Sequence, residues 1–174
     1  LFSPCLTFVS KLFIIEAVIS FCLYLWRHGM KVKNWEGWEP EWLRLVDHHR
    51  NAPAVPGVYI ICADRAITRA VGIDDNGVLT IGESDNLRRR LGAFVRCAGN
   101  QGATGHMAGW RFNFASFEKA FPLDSLWVSW YPTADKTAAY AKEGEMLGLY
   151  LAEHYELPPL NYKFNWSPQE QCSR

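Results

Sequence analysis

The chain predicts an α+β domain, a small three-stranded antiparallel sheet flanked by helices. Two apolar runs rich in β-branched and aromatic residues stand on either side of a turn signal, and a third such run lies far downstream. The segments around that third run read at helical period. Its 174 residues are 49% apolar and 14% aromatic, enough to bury one good core, so a single folded domain is expected.

The elements follow in chain order. "NWEGWEPEWLRLVDHHRNAP", beginning at Asn34, sets Trp42, Leu45 and Val46 at helical spacing, so region 30–55 is expected to hold a short amphipathic helix ended before Pro53. "VPGVYIICA" predicts a strand over Val58–Ala63, entered through proline and glycine. "DDNG" at 74–77 is a turn signal, and Val78–Gly82 is the second strand, antiparallel to the first. The intervening "DRAITRAV" either extends this hairpin or forms a loop.

"ESDNLRRRLGAFVRCA" predicts a helix capped near Ser84 or Asp85, with Leu87, Leu91, Phe94 and Val95 on the buried stripe. The glycine-rich "NQGATGHMAGW" is read as a helical turn or a loop. "LWVSWYPT", 126–133, is the third strand with a proline stop, followed by a long helix from about Ala134 to Tyr155. "LPPLNYKF" ends a domain spanning 56–164, and the polar residues 165–174 read as a frayed tail.

The first 29 residues differ in character. "LFSPCLTFVSKLFIIEAVISFCLYLW" is long enough to span a bilayer, but Lys11 and Glu16 near its middle would each cost roughly 2.5–3.5 kcal/mol at a helix centre. The segment is therefore read as upstream-extended or non-native sequence, or a weakly packed appendage, ahead of a membrane anchor. No basic segment precedes the apolar run and no small-residue site follows it, which argues against a secretory signal.

Eighteen basic and 18 acidic residues balance, which removes the usual electrostatic sign of a nucleic-acid partner while allowing a local basic face. The cysteines Cys5, Cys22, Cys62, Cys97 and Cys172 are widely spaced with no C-x-x-C pair, so they read as reduced structural thiols in a cytoplasmic compartment and not as a zinc site. One feature resists a purely structural account. Arg88, Arg89 and Arg90 fall on the first turns of a helix, where the backbone dipole disfavours positive charge.

"GVY" at 57–59, "TIG" at 80–82, an arginine eight residues after Gly82, a glutamate on the late helix and "PPLN" at 158–161 together resemble, in order and spacing, the GIY-YIG nuclease superfamily. The resemblance covers Pro56 to Asn161. It implies a three-stranded antiparallel sheet with flanking helices, and hydrolysis of DNA phosphodiester bonds with one divalent metal, Mg²⁺ or Mn²⁺, and no small-molecule cofactor.

The resemblance also implies roles. Tyr59 would orient or deprotonate the attacking water, which a phenol of ordinary pKa near 10 does at neutral pH only with help from nearby cations. Arg90 would grip two phosphate oxygens and offset transition-state charge. Glu143 would ligate the metal, sharing a helix face with Met146, Leu147 and Tyr150; Glu145, about 200° round the helix, is the alternative ligand. His106 matches a polar histidine that some members place between the first helix and the third strand, and Asn161 the closing asparagine, with a structural turn role as its competitor. Arg88, Arg89 and Thr80 are candidates for contacts to the nucleic acid.

Two departures matter. Thr80 stands where the family has tyrosine, and Phe94 where many members carry a histidine. They leave open an alternative from another class, a catalytically inactive module that binds nucleic acid or protein on the same scaffold.

Overall fold

The computed structural model describes residues 41–99 and 103–163. The expectations for residues 1–29, for most of the 30–55 region before residue 41, and for the 165–174 tail lie outside the described residues.

The main sheet has four strands, not three, all antiparallel. In chain order they are β1 (Leu43–Arg44), β2 (Gly57–Cys62), β5 (Val78–Ser84) and β6 (Trp127–Pro132). Their spatial order is β1-β6-β2-β5. The added strand β1 lies on β6 with Leu43 opposite Val128 and Arg44 opposite Trp127. A two-residue strand has no readable period, and here a side chain fixes it. The Arg44 guanidinium donates to the Ser125 carbonyl at 2.6 Å and sits 4.4 Å from the centre of the Trp127 ring.

The helix expected around Trp42 to Val46 shrinks accordingly to one turn, α1 (Leu45–His48), continued by a 3₁₀ turn over His49–Asn51. The "DRAITRAV" segment extends the hairpin: β3 (Ile67–Thr68) pairs with β4 (Ile73–Asp74) as a separate two-stranded ribbon.

Every residue of β2 is buried, so both faces of this central strand are covered. Tyr59, Ile61 and Leu79 join one apolar cluster with Leu87, Leu91 and Phe94 of helix α2 (Leu87–Gly99) and Phe112 of helix α3 (Met107–Phe114). A short helix α4 (Phe117–Ala120) leads on toward β6. The long helix α5 (Lys136–His154) packs against β2 and β5 and buries Ala139, Met146 and Leu147.

Helix α2 begins with Asn86 and not with Ser84 or Asp85 as its cap. Asn86 Oδ1 accepts the Arg89 N–H at 2.9 Å, the bond an N-cap side chain makes to the third helical residue. Ser84 serves the turn before it, accepting the Asn86 N–H at 3.0 Å. Of the expected stripe, Leu87, Leu91 and Phe94 are buried and Val95 is half-buried.

Buried Asp74 fastens the hairpin to α5. Its carboxylate accepts the N–H groups of Asn76, Gly77 and Val78 at 2.7–3.0 Å, and also the Tyr150 hydroxyl at 3.0 Å. Among the described residues no helix is long and apolar enough to cross a membrane. Cys62 and Cys97 are buried thiols.

Candidate functional site

A cavity of about 210 Å³ opens beside β5, lined among others by Tyr59, Thr80, Gly82, Glu83, Arg90, His106, Glu143 and Asn161. Six candidate residues from the sequence, Tyr59, Thr80, Arg90, His106, Glu143 and Asn161, therefore share one space although they come from β2, β5, α2, the start of α3, α5 and the segment after it. The topology accounts for this. β2 and β5 are register neighbours, α2 leaves β5 directly, and α5 packs against both strands.

Tyr59 stands opposite Gly82 in the β2–β5 register, so both point to the same face. The phenol ring lies across the glycine. A Cβ on residue 82 would collide with the Tyr59 ring and hydroxyl, so glycine is required for this side chain to reach the cavity. Burial pushes the Tyr59 hydroxyl up to about 12, while the neighbouring Arg90 guanidinium pulls it down and the charges of Glu143 and Glu83 add to the rise.

His106 caps α3. Its Nδ1 accepts the Gly109 N–H at 3.2 Å, and its Nε2 lies 2.9 Å from the Tyr59 hydroxyl. Burial, followed by the Arg90 charge, lowers the imidazole to about 3, so the ring is neutral near pH 7. A neutral ring whose Nδ1 is an acceptor carries its proton on Nε2, which assigns His106 as donor and Tyr59 as acceptor. Phe94 packs edge-on against the imidazole with ring centres 5.1 Å apart. Phe94 of α2 thus buttresses a histidine at the start of the next helix. Gly109 allows the close approach: a Cβ there would lie 2.8 Å from the Phe94 carbonyl oxygen.

Arg90 is half-buried, and its Nε is buried with no hydrogen-bond partner among the described residues. Elsewhere the guanidinium hydrogen-bonds the Tyr59 hydroxyl, and one Nη reaches the Gly105 carbonyl at 3.4 Å. A buried guanidinium nitrogen in this condition favours an anionic acceptor in the cavity. Glu143 is 4% exposed and faces the cavity, whereas Glu145 is exposed and ion-paired with Lys142 at 3.1 Å outside it. Glu83 lines the rim and is bound by Lys136.

Asn161 is committed to the backbone. Its amide donates to the Ile81 carbonyl at 2.8 Å and its Oδ1 accepts the Ile81 N–H at 3.0 Å, while the Leu160 N–H donates to the Leu79 carbonyl at 2.9 Å. The asparagine thus occupies the outer edge of β5 as a strand partner would, holding the last wall of the cavity in place.

Arg88 and Arg89 do not line this cavity. The Arg88 Nε donates to the Ala52 carbonyl at 2.8 Å, which ties α2 to the loop before β2, and Arg89 pairs with Asp85 at 2.8 Å. Arg89 instead lines a neighbouring groove with Arg96, Lys136 and Arg90. Sequence reasoning missed Glu83, Met107, Tyr162 and Lys163 as lining residues. Glu83 was open to discovery, since it directly follows the glycine of the second motif; the others are placed only by the folded chain end and by α3.

The donor set can be tested against a metal. No cluster of three or more His, Cys, Asp or Glu side chains suited to a metal occurs among the described residues. One inward carboxylate in a cavity that also holds the Arg90 guanidinium does fit Mg²⁺, an ion that keeps several waters and binds through one or two carboxylates plus phosphate oxygens.

No protein-family model matches the chain, and no curated protein matches it. Among solved structures it is similar to the GIY-YIG N-terminal endonuclease domain of UvrC from Thermotoga maritima bound to its catalytic divalent cation, magnesium, at 14% identity and a TM-score of 0.39, covering 68% of this chain and 96% of that one. Two point mutants of the same domain, each bound to its catalytic divalent cation, are similar at 15% and 16% identity with the same coverage and TM-score of 0.39.

Proposed function

We propose that the chain is a divalent-metal-dependent endonuclease of the GIY-YIG type that hydrolyses DNA phosphodiester bonds. The observation that supports it most is the cavity. Residues selected by motif order alone, from Tyr59 to Asn161, surround one space that pairs an anion-seeking guanidinium with an inward carboxylate and a phenol.

In this reading Arg90 grips two oxygens of the scissile phosphate and offsets the charge that gathers in the transition state. Tyr59 takes a proton from the attacking water. It does so from its phenolate form, which the Nε2–H of His106 and the Arg90 charge stabilise, and becomes the neutral phenol on accepting that proton, while neutral His106 keeps the phenol oxygen in position. Glu143 would hold Mg²⁺ or Mn²⁺, and the ion when bound supplies Lewis-acid stabilisation of the charge on the departing oxygen. Asn161 is a positioning residue that acts through β5. The buried Cys62 and Cys97 thiols accord with a reducing, cytoplasmic setting.

One observation favours the second reading, a binding module that does not cut. Thr80 is buried at the cavity wall where the family has tyrosine, so this position supplies no phenolic hydroxyl. Incubating the full chain with supercoiled circular DNA and Mg²⁺ or Mn²⁺ separates the two. Nicking that chelation abolishes supports the endonuclease, and intact DNA under both metals supports the module.

A further inference from the structure

The cavity has two unlike neighbours. The first is the groove lined by Arg89, Arg96 and Lys136, which shares Arg90 and Glu83 with it. The second is an apolar pocket of about 370 Å³ formed by Thr104, Gly105, His106, Met107 and Trp110, which shares His106 and Met107 with the cavity and Gly105 with the groove. Met107 and Trp110 are 51% and 41% exposed, which is high for side chains of this kind on a helix that buries Ala108, Gly109 and Phe112. Phe114, one turn on, stacks against the Trp110 ring at 4.7 Å with 12° between the planes and so steadies the indole.

We propose that this apolar pocket takes an unpaired nucleobase of the same nucleic acid whose phosphate enters the neighbouring cavity. The inference rests on the function proposed above and names its substrate class. Continuity carries the argument. The pocket borders the cavity that Arg90 lines and meets the basic groove at Gly105, so a ligand spanning all three must join anionic groups to a flat apolar ring by a short tether. A nucleotide within a strand has this form. In a paired duplex both faces of each base are covered by stacked neighbours, so only an unpaired or extruded base can offer its face to Trp110. The preferred substrate is therefore DNA with an unpaired nucleotide beside the scissile phosphate, as in a flap, a gap or a single strand.

The test measures binding of the full chain to fluorescein-labelled oligonucleotides: a fully paired duplex, the same duplex with a single-stranded flap, and a single strand. A parallel set carries 2-aminopurine at the unpaired position. The expected result is tighter binding of the flap and the single strand than of the duplex by about tenfold, the scale of one base–aromatic stack, with quenching of the 2-aminopurine. Trp110→Ala should remove both the preference and the quenching while duplex affinity stays within about twofold, and Trp110→Phe should keep most of each. Preference and quenching unchanged in Trp110→Ala would overturn the proposal, as would equal binding of all three substrates. Quenching without any cleavage under Mg²⁺ or Mn²⁺ would leave the base site standing while the endonuclease reading falls. Cleavage of a paired duplex as fast as of the flap, without quenching, would do the reverse.

Discussion

Tyr59 accepts a hydrogen bond from His106 across 2.9 Å, and the direction of that bond follows from a second one, the Gly109 N–H given to the other nitrogen of the same ring. The imidazole is held neutral by burial and by the Arg90 charge, so it acts as a fixed donor to the phenol oxygen and not as the base that removes its proton.

This pairing sets an acid limit on stability. In the native chain His106 gains its proton only near pH 3, whereas the unfolded imidazole does so near 6.5. Between those values the unfolded state binds more protons, so stability falls as pH drops through 6.5 toward 3, by up to about 1.4 kcal/mol per pH unit from this group. Denaturant unfolding at a series of pH values is expected to show a shallower acid slope for His106→Asn than for the wild type. Equal slopes would place the imidazole outside the native core.

A phenol pushed up to about 12 is almost wholly protonated at pH 7. If it is the base, single-turnover cleavage should rise about tenfold per pH unit from roughly pH 7 to 10, because the reactive phenolate fraction does. Tyr59→Phe should lower the rate by about 10²–10⁴-fold and flatten the profile. A flat wild-type profile limited by chemistry would assign the proton transfer to another group.

Gly82 leaves room for that phenol. Gly82→Ala forces the Tyr59 ring to move and is expected to cost roughly 1–3 kcal/mol in thermal unfolding, together with most of the activity. Gly92→Ala is the control. Its Cβ, inside α2, would meet only ordinary contacts with Arg96 and His49, so it should be neutral or stabilising by about 0.5–1 kcal/mol.

The Asp74–Tyr150 bond holds α5 to the hairpin two turns from Glu143. Burial and the Asp74 charge push the Tyr150 hydroxyl well above its ordinary value, so it remains a donor throughout the working range. Tyr150→Phe removes a hydrogen bond to a buried carboxylate and should cost about 1.5–3 kcal/mol by denaturant unfolding. Unchanged stability would show that Asp74 is satisfied by its three backbone donors alone.

Much of this fold could be read before folding, and the boundary is physical. β2 and β5 carry β-branched runs on either side of a turn, so their pairing was expected, and α5 has enough helical period to place Glu143 on the face of Met146 and Tyr150. What escaped depends on partners distant in sequence. β1 exists because Arg44 meets Ser125 and Trp127. Asp74 read as a turn residue because Tyr150 lies 76 positions away. The cap of α2 passed from Ser84 or Asp85 to Asn86 because Ser84 is spent on the turn itself. Around the cavity, residue types were legible but commitments were not. The arginine run divides into one that ties α2 to a loop, one paired with Asp85 and one that enters the cavity, and helical period alone cannot distinguish those faces without knowing what packs there.

The most direct test of the central claim compares the full-length wild type with Glu143→Gln on one DNA substrate, measuring cleavage rate and affinity side by side. Metal-assisted phosphodiester hydrolysis in this cavity requires a fall of about 10³-fold or more in cleavage rate, with affinity held within about threefold. A Glu143→Gln protein that cuts as fast as the wild type, or a wild type that leaves the DNA intact in Mg²⁺ and Mn²⁺, would contradict it.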